Sequence, residues 1–157
     1  MARDREQADA PHRVILVGDP DWDTRTILLR ALEHAGFEVH TADSGDALLD
    51  AAARDGPDLI VAEIYQRCRQ GRCSVQCMKH DPLLRRIPIL VYTSRVLPSD
   101  AQWARDIGAE GYLMKPARIQ TLVRAVNTLL AAAGEDAGPA RPFDPPPYRP
   151  GEDTPSA

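Results

Sequence analysis

Apolar runs of strand length alternate with segments of helical periodicity five times along this chain, and that alternation limits the fold more than any other feature. RVILVGD (13–19) is a short apolar run ending at an acid, as a buried strand does. In DTRTILLRALEHAG, Ile27, Leu28, Ala31, Leu32 and Ala35 share a helical face, and Gly36 stands where a C-terminal cap belongs. FEVHTA (37–42) alternates as a half-buried strand would. Ser44 then caps a helix with Leu48, Leu49 and Ala52 on its buried face, and Gly56 stops it.

The next three units follow the same grammar. PDLIVAE gives a third strand, and a helix is expected over roughly 72–80. IPILVYT (87–93) is near-continuous in apolar and β-branched residues, the mark of a strand covered on both faces. Ser99 and Gln102 form a capping-box pattern for SDAQWARDIG, closed by Gly108, and EGYLMK (110–115) is the fifth strand. After Pro116, residues Ile119, Leu122, Val123, Val126, Leu129 and Leu130 recur on one helical face up to Gly134.

Five βα units with short loops require parallel strands, because parallel pairing needs crossover connections, and these are right-handed. The expected class is α/β, a doubly wound five-stranded parallel sheet with five helices. Ligands and chemistry in such folds collect at the carboxyl ends of the strands. Here those ends carry Asp19 with Asp21, Glu63, Thr93 and Lys115. Carboxylates, a hydroxyl and a lysine converging on one rim suit a divalent ion and a phosphoryl group.

The 157 residues are enough for one core. Residues 1–12 lack periodicity and are expected to be a disordered arm. Residues 134–157 are too rich in Pro, Gly and charge to fold, which leaves 13–133 as the domain. The PFDPPPYRP stretch of the tail favours extended polyproline II, and no output domain is expected in so short a tail. A net charge of -4, from 19 basic and 23 acidic residues spread along the chain, provides no basic stripe for nucleic acid or anionic lipid. The longest apolar run is too short for a membrane span or a signal-peptide core, so a cytoplasmic location is expected.

Taken in order, VILVGDPD, PDLIVAEIY with Gly71 eight residues beyond Glu63, IPILVYTS and above all GAEGYLMKP (108–116) resemble the receiver domain of bacterial two-component response regulators. The resemblance spans essentially all of 13–133 and implies a flavodoxin-like sheet of order 2-1-3-4-5. It implies an aspartate at the end of the third strand that accepts a phosphoryl group from a histidine kinase, and Mg²⁺ held by an acidic pair after the first strand. Thr93 and Lys115 match the phosphate-contacting hydroxyl and lysine, and Tyr112 matches the aromatic whose burial changes. The resemblance also implies a cis peptide at Lys115-Pro116.

Two positions depart from that pattern. Counting six residues from Pro57 reaches Glu63, where the family carries its phosphoacceptor aspartate. Of the acidic pair only one adjacent position is acidic in either alignment, Asp19 beside Pro20 or beside Gly18, with Asp21 as a partial substitute. The extra methylene of glutamate carries its carboxylate outward by about 1.5 Å. Misplacement by about 1 Å costs on the order of 100-fold in rate, which argues against efficient phosphotransfer to Glu63. The longer arm could instead reach Lys115 and Thr93, a partial mimic of a phosphoryl group bearing about -1.5 to -2.

The sequence reading is therefore a stand-alone, non-enzymatic receiver that requires no cofactor. Asp19 and Asp21 are candidates for weak Mg²⁺ ligation. Its expected partner is a histidine kinase or downstream effector, met on the face of the fourth and fifth strands and helices near Trp103 and Tyr112; a homodimer is also open. Two alternatives stand beside it: phosphorylation on Asp19 or Asp21, and a metal or thiol sensor built from Cys68, Cys73, Cys77 and His80, which share a short segment. The plainer explanations are that Glu63 pairs with Lys115 for stability alone, and that Asp19, Asp21 and Asp23 only stabilise a helix start.

Overall fold

A computed structural model describes residues 12–134 apart from Val96. The expected arm, but for His12, and all but the first residue of the expected tail lie outside the described residues. The elements run β1 (Val14–Gly18), α1 (Trp22–His34), β2 (Glu38–Ala42), α2 (Gly45–Asp55), β3 (Leu59–Ala62), α3 (Ser74–His80), β4 (Ile89–Thr93), α4 (Pro98–Asp106), β5 (Gly111–Met114) and α5 (Ile119–Gly134). All strands pair in parallel, in the order β2-β1-β3-β4-β5. The sequence-based fold class and strand order are those observed.

Alternating side chains send each central strand into two cores. Ile15, Val17, Leu59, Val61 and Leu90 face Leu28 and Leu32 of α1 and Leu122 and Val126 of α5. Leu16, Ile60, Ile89 and Val91 face Leu48 and Ala52 of α2, Val75 and Met78 of α3, and Ala104 of α4. Every residue of β3 and β4 is buried, which is why those strands read as unbroken apolar runs. Each large side chain so covered contributes about 1.5–3 kcal/mol.

Several local expectations are corrected. Ile27 and Ala35 are exposed, because α1 turns the narrower stripe of Leu28, Ala31 and Leu32 inward. Ile119, the first residue of α5, is also exposed, at 55%. Ser99 does not cap α4: the helix starts one residue earlier at Pro98, whose fixed φ suits a first helical position. The Leu97 amide donates to Asp100 Oδ2 at 3.3 Å, while Gln102 donates to Asp106 at 2.8 Å. The Ser44 cap is present, accepting from the Ala47 amide at 3.1 Å.

Candidate functional site at the strand ends

Asp19, Glu63 and Lys115 are each the first residue past a strand, and backbone hydrogen bonds carry the sheet one step further at all three. The Asp19 amide donates to the Ala42 carbonyl at 3.1 Å, that of Glu63 to Gly18 at 2.9 Å, and that of Lys115 to Thr93 at 2.8 Å. The ladder thereby delivers two carboxylates and an ammonium to one rim. Lys115 Nζ donates to Asp19 Oδ2 at 2.6 Å and to Glu63 Oε2 at 2.9 Å. The side chains are 19%, 3% and 11% exposed respectively. Burial works to lower the Lys115 pKa, but the bonds and charges of Asp19 and Glu63 outweigh it and raise it above the ordinary lysine value.

Two carboxylates share one cation, so among these three side chains one negative charge is in excess. Glu63 Oε1 is buried and makes no hydrogen bond. Thr93, fully buried at the end of β4, accepts from the Arg95 amide at 3.3 Å and makes no hydrogen bond to Glu63. The expected reach of Glu63 is thus realised toward Lys115 only. The Lys115-Pro116 peptide is cis.

Asp21 is engaged by the start of α1. Its Oδ2 accepts from the amide and hydroxyl of Thr24, at 2.8 and 2.7 Å, and these bonds hold its carboxyl below the usual range. It is the N-cap of α1. Asp19 Oδ1 accepts from the Asp21 amide at 2.9 Å. The two acids expected to hold Mg²⁺ are therefore engaged by a helix start and by Lys115. Among the described residues no group of three or more His, Cys, Asp or Glu side chains is arranged to hold a metal. Asp19 has both oxygens bonded and is almost completely buried, whereas Asp21 is exposed.

Beside the rim stands an aromatic cluster that sequence reasoning did not find. The Arg95 guanidinium lies 4.0 Å from the centroid of the Tyr65 ring, which stacks on Trp103 at 6.2 Å. Tyr65 donates to Asp100 at 2.9 Å, and Tyr112 donates to the Arg95 carbonyl at 2.5 Å. Tyr112 is buried, which pushes its phenol up to about 12. Trp103 is half-buried against this cluster rather than exposed; the exposed tryptophan is Trp22, 66% accessible at the start of α1. The one signal for Tyr65 was its position two residues beyond Glu63.

The four-residue metal set does not converge. Cys73 Sγ turns into the core and donates to the Ile64 carbonyl at 2.9 Å, whereas the buried Cys68 meets the half-buried Cys77 and His80 is exposed. Cys73 is the N-cap of α3 with a non-helical ψ of 131°, so it does not continue the helical face that carries Cys77.

The family model for the response regulator receiver domain matches residues 14–127. The chain belongs to this family. As a receiver domain it is a signalling module of two-component systems. It is 34% identical to the response regulator MprA of Mycobacterium sp. (strain KMS) over 135 residues, covering 82% of this chain and 55% of the relative. It is 33% identical to the transcriptional regulatory protein PrrA of Mycobacterium tuberculosis over 123 residues, 78% of this chain and 52% of that one. The chain thus spans about half the length of these curated relatives.

Solved structures of receivers superpose closely. A putative response regulator from Chloroflexus aurantiacus matches with a TM-score of 0.70 and 28% identity over 76% of this chain and 98% of that one. The chemotaxis response regulator CheY4 of Vibrio cholerae matches with a TM-score of 0.68 and 25% identity over 75% and 98%. Response regulators work with histidine kinases and downstream effectors. Among the described residues of this receiver no helix is long and apolar enough to cross a membrane.

Proposed function

We propose that this receiver domain signals by protein–protein contact without phosphorylation of an aspartate, and that Glu63 occupies the phosphoacceptor position as a partial mimic of the phosphoryl group. The observation that carries the reading is the hydrogen bond from Lys115 to Glu63 at 2.9 Å. A lysine that would otherwise await a phosphoryl oxygen is already engaged, and the shared cation leaves a permanent negative charge at the rim. The buried, tethered Tyr112 supports a domain held toward one conformational state. Mg²⁺ is not required for this role, and its binding at Asp19 and Asp21 is weak.

The partner, a histidine kinase or a downstream effector, docks on the face made by β4, β5, α4 and α5. β5 is an edge strand, and Leu97 is exposed at the start of α4 on this side of the molecule. A second copy of the chain is the alternative occupant of that face.

An amide NMR spectrum tests the state of the rim. Acetyl phosphate with Mg²⁺ is expected to leave the wild-type spectrum unchanged. Glu63→Gln, which removes the charge but keeps a bond to Lys115, is expected to shift the amides of Thr93, Tyr112 and Lys115. Shifts throughout β4 and β5 on addition of the phosphodonor to wild type would overturn the proposal.

A further inference from the structure

Cys68 and Cys77 come together from different parts of the chain, one on the segment after Glu63 and the other in the first turns of α3. Both are free thiols, with sulfurs 2.8 Å apart. They need to close by only about 0.8 Å to reach the ~2.05 Å of a disulfide. Both line an open cleft of about 590 Å³ between α2 and α3, together with Asp50, Arg72 and His80; Cys77 is half-buried there and Cys68 is 7% exposed.

The backbone around the pair is held in place. Gly45, the first residue of α2, lies so close to the segment that a Cβ there would fall 2.3 Å from the Arg67 carbonyl oxygen. The Arg69 amide donates to Asp46 at 2.7 Å. Cys68 donates its amide to the Arg72 carbonyl at 2.9 Å, and Arg67 bridges Cys73 in antiparallel fashion. Gly71 completes the turn with a φ of 75°, a conformation that side chains resist. The position of Cys68 opposite Cys77 is thus fixed by backbone contacts and the Asp46 carboxylate rather than by the thiols themselves.

We propose that Cys68 and Cys77 form a dithiol oxidised by hydroperoxides, a modification site whose disulfide fastens the segment following Glu63 to α3. The two thiols have different tasks. The hydrogen bond from Cys77 lowers the Cys68 pKa, while burial, with that same bond, pushes Cys77 up to about 11. Of the two, Cys68 is the more readily deprotonated and Cys77 the proton donor of the pair. The Cys68 sulfur attacks one peroxide oxygen; the O–O bond breaks, and the departing hydroxide takes up a proton as water, leaving a sulfenic acid. The Cys77 sulfur then attacks the Cys68 sulfur, the S–O bond breaks, and hydroxide leaves with the Cys77 proton as a second water. Two thiols are oxidised by two electrons and one peroxide is reduced. Cys73, turned inward with its thiol pushed up by burial, takes no part.

The test uses the full chain with hydrogen peroxide, followed by intact mass, thiol counting and peptide mapping under non-reducing conditions. The expected product is monomeric, lighter by about 2 Da, with the Cys68 and Cys77 peptides linked and dithiothreitol restoring both thiols. One thiol of three should remain, at Cys73. Cys73→Ser should form the same link; Cys68→Ser and Cys77→Ser should not, and Cys77→Ser should accumulate a dimedone-trapped sulfenic acid at Cys68. The linked form should also show slower amide exchange over 64–73 than the reduced form. A link that includes Cys73, a disulfide only between chains, or equal oxidation of all three thiols with no link would overturn the proposal. The mapping on wild type decides it even if a variant fails to fold.

Discussion

The Glu63 carboxylate, just past β3, meets Lys115 directly at 2.9 Å. Lys115 is the shared counter-ion of two largely buried acids, so its removal leaves both without compensation. Lys115→Met is expected to lower the free energy of unfolding by about 3 kcal/mol, the cost of stranding buried carboxylates. Glu63→Gln, which keeps a hydrogen-bonding partner for Lys115, should cost only about 1 kcal/mol. Urea denaturation of the two variants beside wild type measures both; equal and small losses would mean that the triad is not what holds this rim. Glu63 and Lys115 were legible at this scale because each ends an apolar strand, and the ladder fixes where a residue just past a strand must sit. The direction of the Asp21 carboxylate was not, because capping α1 or facing the rim depends on one backbone turn after Pro20. The Tyr65–Arg95 stack was hidden for a similar reason, since it joins two loops far apart in sequence.

At the scale of elements, β2 is an edge strand tied to the end of α2 by one imidazole. As an imidazolium, His40 donates through Nδ1 to Asp55 at 2.7 Å and through Nε2 to Glu38 at 2.9 Å, and these bonds raise its pKa above 6.5. Asp55, bonded by Arg54 and His40, is held down to about 2. The signs differ. The His40 contribution is fully present below its unfolded pKa and is lost as pH rises through the raised folded value. That of Asp55 is present above its unfolded pKa of 3.8 and is lost as pH falls through about 2. Urea midpoints measured between about pH 5 and pH 9 should therefore decline for wild type above pH 6.5, and His40→Gln should flatten that decline. A decline that is unchanged in the variant would assign it to other groups.

Element identity was readable from period alone, because β3 and β4 are covered on both faces and α5 carries a clear apolar stripe. Boundaries were less readable where backbone chemistry decides. Pro98 moved the start of α4, and α3 begins only at Ser74, after the turn through Gly71. The reach of apolar faces was overestimated at Ile27, Ala35 and Ile119, since helical spacing defines a face but not how wide a strip the neighbouring sheet covers.

For the whole molecule, parallel strand order is what makes distant residues into one site: β1, β3 and β5 contribute its acids and lysine, and β4 lies between the latter two. That convergence followed from counting βα units, and the family match to residues 14–127 gives it a signalling context. Charge and rim geometry are the grounds for the proposal that the state of the domain is set by its own carboxylate. The central claim is tested most directly by weighing the intact protein after incubation with acetyl phosphate and Mg²⁺, with Glu63→Asp carried alongside to read whether Asp19 and Asp21 retain enough Mg²⁺ affinity for phosphotransfer. The account predicts an unchanged mass for wild type, and a stoichiometric phosphoryl adduct on wild type would contradict it.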